Sequence, residues 1–85
     1  MSKGASSENI SADKVLDARG LYCPEPVYKT RVEMDSMSVG QIIHVLADDP
    51  AAEEDISRWA GRVGQELVRL DKEGEDLHFF LKKKK

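Results

Sequence analysis

A single cysteine followed by two spaced prolines, Cys23-Pro24-Glu25-Pro26, is the part of this 85-residue chain whose residue types and spacing could do chemistry. Two prolines within three residues would break a helix interior. The first four helical N–H groups have no intrahelical acceptor, so prolines cost little in the first turn. This frame predicts Cys23 at the N-cap, Pro24 at the first and Pro26 at the third helical position, with the thiol facing the free N–H groups of Glu25 and Val27. An anion there gains about 0.3–1 kcal/mol, up to ~2 when partly buried. A thiol pKa of ~8.5 would then fall to roughly 7–8, raising the thiolate share at neutral pH from a few per cent to about a quarter. Arg19 and Lys29 add to this effect, and Glu25 opposes it.

What the sequence lacks narrows the chemistry. One cysteine makes no internal disulfide, no Cys-x-x-Cys redox pair and no cysteine-based zinc site. A cysteine hydrolase needs a base, and the two histidines, His44 and His78, alternate with apolar residues in expected strands and read as solvated sheet-face residues. A peroxidase or disulfide exchanger wants a second, resolving cysteine. An accessible thiolate without a base suits a protein that accepts a group from one partner and hands it to another.

The elements that must position this cysteine follow from periodicity. Lys14 to Ala18 reads as a short strand, and Pro24 to about Met37 as a helix with Val27, Thr30, Met34 and Met37 inward. Gln41 to Ala47 is the clearest strand. Asp49 caps a second helix that starts at Pro50, has Glu53, Glu54 and Asp55 in its early turns, buries Ile56, Trp59, Ala60 and Val63, and is closed by Gly61 and Gly64. Glu66 to Asp71 and Asp76 to Lys82 form a hairpin around Lys72-Glu73-Gly74-Glu75. The expected fold is an α+β two-layer sandwich (an α/β sandwich in the layer sense) of chain order βαβαββ, with two helices on one face of a four-stranded mixed sheet.

Composition fits one small domain of 40% hydrophobic and 34% charged residues. Residues 1–13 are expected to be a disordered lead-in, 14–82 the folded domain and 83–85 a basic, solvated tail. No apolar run reaches the ~18 residues of a membrane span, and the N-terminus has no secretory pattern. A cysteine-poor chain without cross-links reads as cytoplasmic. A net charge of −3 argues against a dedicated nucleic-acid binder, and direct nucleic-acid binding is not expected.

The run Leu16-Asp17-Ala18-Arg19-Gly20-Leu21-Tyr22-Cys23-Pro24-Glu25-Pro26-Val27 resembles the Cys-Pro-x-Pro signature of the TusA/SirA-like sulfur-carrier family. Ala47-Asp48-Asp49-Pro50-Ala51, Asp55-Ile56 and Gly64-Gln65-Glu66-Leu67 are similar to its second half, so the likeness runs from about residue 14 to 83. The resemblance implies that Cys23 receives sulfane sulfur as a persulfide from a cysteine desulfurase or rhodanese-like donor, with neither a metal nor an organic cofactor required. It implies onward transfer to other sulfur-relay proteins, feeding tRNA thiolation, molybdenum-cofactor formation or dissimilatory sulfur metabolism. Pro24, Glu25 and Pro26 support the motif. Arg19, Gly20, Leu21 and Tyr22 are expected to dock partners, with Arg19 adjusting donor choice, and the carrier is expected to be a monomer. A second class of function stays open: a non-catalytic interaction or regulatory module, RNA-associated through its lysine tail, indifferent to Cys23.

Overall fold

A computed structural model describes residues 11–85, and the expected order βαβαββ is the one observed. The elements are β1 (Lys14–Asp17), α1 (Glu25–Asp35), β2 (Ile42–Ala47), α2 (Pro50–Val63), β3 (Glu66–Glu73) and β4 (Asp76–Lys82). The sheet runs β1-β2-β4-β3. Strand β1 pairs parallel with β2, and β4 pairs antiparallel with both β2 and β3. Of the segment expected to be disordered, residues 1–10 lie outside the described residues. Asp13 belongs with the fold instead: its N–H donates to the Ile42 carbonyl at 2.7 Å, and its carboxylate accepts from the Ile42 N–H at 2.9 Å.

Alternation along β2 and β4 sets the two faces. Ile43, Val45, Ala47, Leu77, Phe79 and Leu81 are buried beneath the helices, while Ile42, His44, Leu46, His78 and Phe80 are half-buried on the other side. Met34 of α1 and Ala52, Ile56, Trp59 and Ala60 of α2 complete the core. Thr30 is fully buried, and its hydroxyl donates to the Pro26 carbonyl at 2.7 Å, so no polar group is stranded there.

Helix ends follow local chemistry. Asp49 caps α2 by accepting the Ala51 N–H at 3.1 Å. Gly64 closes the helix in the left-handed region at φ +85°, donating to the Ala60 carbonyl at 3.0 Å. Gly61, expected as a terminator, is a helical residue, because its φ is ordinary and helix hydrogen bonding continues past it. Gly74, at φ +64°, gives the hairpin a two-residue connection, so β3 extends through Lys72 and Glu73.

Of the expected basic tail, Lys83 is tied into the fold, while Lys84 and Lys85 are exposed beyond the last strand. Lys82 ends β4. The Lys83 ammonium donates to the carbonyls of Met34 and Met37 at 2.7 and 2.9 Å, placing a cation on the negative end of α1. Lys84 pairs with Glu66 at 3.6 Å, and the Gln65 side-chain oxygen accepts from the backbone of both Lys84 and Lys85.

Candidate functional site

The loop from Ala18 to Pro24 carries the cysteine, and α2 holds that loop in place. The Ala18 N–H donates to the Leu46 carbonyl at 2.7 Å, and the Gly20 N–H to Asp48 at 2.9 Å. Gly20 turns at φ +85°, a conformation that a side chain would strain. Asp49 does two jobs: one carboxylate oxygen caps α2, and the other accepts the Cys23 N–H at 3.0 Å. Sequence reading had found only the cap. The Asp48-Asp49-Pro50 run therefore positions the cysteine loop as well as starting a helix.

The expected frame of the first helix is off by one residue. Helix α1 begins at Glu25, its N-cap is Pro24, and Pro26 falls in the second helical position. The cap has no side-chain hydrogen bond. The Glu25 N–H is taken by the Tyr22 carbonyl at 2.8 Å and the Tyr28 N–H by Pro24 at 3.0 Å. The Cys23–Pro24 peptide is cis. Cys23 thus precedes the cap and does not supply the first-turn acceptor.

The electrostatic expectation changes sign with it. The Cys23 thiol is exposed, but its pKa is pushed above the ordinary value. The main cause is its hydrogen bond to Asp55, followed by some loss of solvation and by the charges of Asp55 and Asp49. Asp49 at the cap of α2 and Asp55 further along that helix act on the thiol in the same direction. The sequence places Asp55 in an early helical turn, yet nothing local in it shows which loop that turn faces. These neighbours disfavour the thiolate.

A shallow recess of about 160 Å³ lies at the thiol, lined by Cys23, Pro24, Val27, Asp55, Arg58, Trp59 and Arg62. It continues into a wider groove of about 430 Å³ between the helices, where Tyr28, Arg31 and Val63 join Trp59 and Arg62. Trp59 is 6% exposed, a core residue as expected, with one edge flooring the recess. Arg58 is tied to Glu54 at 2.6 Å, and Arg31 sits 5.6 Å above the Tyr28 ring.

The four residues expected to dock partners divide. Tyr22 projects outward at 72% exposure. Leu21 packs against the core, and the Gly20 amide is bound by Asp48. Arg19 is clamped by Asp17 at 2.8 Å and Asp76 at 3.5 Å, which holds the Asp17 carboxyl down at about 2. His44 and His78 stand on the helix-free face of the sheet and line no recess with Cys23. They are half-buried and bonded to each other rather than solvated, because Phe80 stacks on His44. Among the described residues no cluster of three or more His, Cys, Asp or Glu side chains is arranged to hold a metal, and no helix is long and apolar enough to cross a membrane.

The chain is similar to known proteins in sequence and in fold. The family model described as sulfurtransferase TusA matches residues 14–83. A candidate sulfur carrier protein of Archaeoglobus fulgidus is 51% identical over 70 residues, covering 81% of this chain and 91% of its own. The sulfur carrier protein TusA of Allochromatium vinosum is 41% identical, over 84% of this chain and 93% of its own. The crystal structure of a SirA-like protein from Desulfitobacterium hafniense superposes with a TM-score of 0.72 over 85% of this chain and 99% of its own; at 20% identity it is evidence for the fold. With 70 matched positions running from β1 through the end of β4, the chain belongs to the TusA sulfurtransferase family.

Proposed function

We propose that this protein is a cytoplasmic sulfur carrier, its domain spanning residues 14–82, that holds sulfane sulfur as a persulfide on Cys23. The observation that carries the reading is the exposed Sγ of the single cysteine, at the Cys-Pro-x-Pro position of a chain matched to this family across nearly its whole length. The donor is a cysteine desulfurase or a rhodanese-like protein, and the acceptor is a downstream relay protein serving tRNA thiolation, molybdenum-cofactor formation or dissimilatory sulfur metabolism. In the transfer, the Cys23 sulfur attacks the terminal sulfur of the donor persulfide. The new S–S bond forms as the donor S–S bond breaks, and the donor leaves as a thiolate. The proton lost by Cys23 ends on that thiolate, and no net oxidation occurs. Asp55, which lines the same recess as the thiol, is placed to carry it. Tyr22, Tyr28, Arg31, Arg62 and Val63 make the rim on which a partner docks.

Incubation with a cysteine desulfurase and cysteine is expected to raise the mass by one sulfur atom per chain. Cys23→Ser should abolish that adduct with the fold intact. Absence of an adduct from desulfurase and rhodanese donors alike overturns the reading.

The raised thiol pKa favours a second reading, an interaction or regulatory module in which Cys23 is idle. Under it, Cys23→Ser leaves every cellular effect of the protein unchanged. The lysine segment offers such a module a reduced surface, since the Lys83 ammonium is bound by the Met34 and Met37 carbonyls and Lys84 pairs with Glu66.

A further inference from the structure

The recess at Cys23 changes the sign of its charge along α2. Asp55, Arg58, Trp59 and Arg62 follow one another at spacings that put them on one side of the helix, and all four line the recess. Asp55 is the neighbour that acts most strongly on the thiol, so Cys23 sits at the acidic end. The next turn brings Arg58 and the one after it Arg62, about 10 Å along the axis from Asp55. The two guanidinium groups differ. Arg58 is engaged by Glu54 at 2.6 Å, whereas Arg62 is exposed and makes no hydrogen bond or ion pair among the described residues. Among those residues the causes acting on the thiol are lost solvation and the carboxylates of Asp55 and Asp49, and neither guanidinium is one of them. Positive charge therefore borders the space in front of the thiol without bearing on the thiol sulfur itself.

A second sulfur on Cys23 enters that space; this step rests on the persulfide reading given above. An S–S bond is about 2.05 Å long, so the outer sulfur stands beyond Sγ. It is also the atom that carries the charge when a persulfide ionises, and a persulfide is a stronger acid than its parent thiol. We propose that Arg62 holds the cargo: the outer sulfur of the Cys23 persulfide points along α2 as an anion and pairs with the Arg62 guanidinium, with Arg58 contributing less because Glu54 already engages it. The consequence is retention. A small thiolate takes the sulfur by attacking the outer atom of a neutral persulfide, forming a new S–S bond and releasing Cys23 as a thiolate, whereas an anionic persulfide repels it. Arg62 thereby keeps the sulfur on the carrier in transit. The other charges around the recess do not cancel this pairing. Asp49 spends its carboxylate oxygens on the Ala51 and Cys23 amides, and Arg19 is engaged by Asp17 and Asp76. On α1, Arg31 in the adjoining groove has the same sign as Arg62 and lies over Tyr28, while Glu25 and Lys29 line neither hollow.

The test loads the full chain chemically, so that it stands apart from any donor protein. Cys23 is converted to a mixed disulfide with an aromatic thiol; hydrosulfide then attacks Sγ, and the new S–S bond forms as the aromatic thiolate leaves. The midpoint of persulfide ionisation is read from the absorbance of the persulfide anion against pH, in the parent and in Arg62→Gln, Arg62→Lys and Arg58→Gln. Arg62→Gln should raise that midpoint by roughly 0.2–0.7 of a pH unit, the size that one exposed ion pair supplies. Arg62→Lys should stay near the parent, and Arg58→Gln should move less than Arg62→Gln. The thiol midpoint of the unloaded chain should move less than the persulfide midpoint. Between the parent and Arg62→Gln persulfide midpoints, the variant should lose its sulfur to a small thiol faster than the parent; well below both, where both persulfides are neutral, the losses should be equal. Equal persulfide midpoints in parent and Arg62→Gln, a larger shift in Arg58→Gln, or equal shifts of thiol and persulfide would each overturn the proposal and leave the sulfur-carrier reading standing. The expected shift in a chain that takes no sulfur from any donor protein would overturn that reading alone.

Discussion

The cysteine corner and the histidine face sit on opposite sides of one sheet and treat their ionisable groups in opposite ways. Cys23 is open to solvent, and neighbouring carboxylates tune it from the side. His44 and His78 are half-buried and constrain each other, with Glu73 the only carboxylate at ion-pair distance from the pair among the described residues. At the corner, charge is adjusted on an open surface, and the group can be exchanged at little structural cost. On the face, burial first and the charge of His78 second disfavour the cationic form of His44. An exposed group can be poised by its neighbours without the fold paying much for it, whereas a half-buried pair links its proton count to the fold.

Three changes at the corner separate floor, anchor and tuner. The largest effect belongs to Trp59→Ala. Trp59 floors the recess and is 6% exposed, so its loss should cost about 3–5 kcal/mol as an aromatic deletion. Urea unfolding measures this, and a cost below ~1 kcal/mol would show that the recess collapses freely. Next is Asp49→Ala, which removes the α2 cap and the acceptor for the Cys23 N–H together. A cap alone is worth about 0.5–2 kcal/mol. The expected signature is a loss at the upper part of that range, with faster amide exchange at Cys23 than at Gly20, which Asp48 holds separately. Equal exchange at the two amides would mean that Asp49 acts only as a cap.

How much of this was legible in the sequence depends on the range of the interaction. The order of elements, the Asp49 cap and Gly64 as the C-terminal glycine follow from local patterns, and all appear where those patterns place them. The resemblance also led to the right family. The frame of α1 failed because two prolines fit the first turn in more than one register, and the choice was made by Asp49, 26 residues away, holding Cys23 outside the helix. The thiol's electrostatics failed for the same reason: Asp55 faces it across the interface between loop and helix, a distance of 32 positions in the chain. Lys83 resolved differently from expectation because only the folded sheet brings its ammonium to the end of α1. The histidines were placed on the correct elements, but their pairing is a matter of cross-strand register.

The smallest expected change in stability comes with the most diagnostic change in chemistry, in Asp55→Asn. The present Asp55 holds the Cys23 proton through a hydrogen bond and through its charge, so the thiol pKa lies above its ordinary value. Removing the charge removes the two causes that Asp55 supplies and leaves only lost solvation and Asp49 raising it. The pKa must therefore fall, and at fixed neutral pH a larger share of Cys23 is thiolate. Alkylation by iodoacetamide, which consumes the thiolate, should be faster in the variant at neutral pH, with its rate–pH curve displaced to lower pH; at high pH, where both thiols are ionised, the rates should converge. Persulfide transfer from a desulfurase should go the other way and slow, because the group placed to pass the proton to the leaving thiolate is gone. The two readouts moving in opposite directions would distinguish a proton carrier from a carboxylate that merely restrains the thiol, for which both rates would rise together.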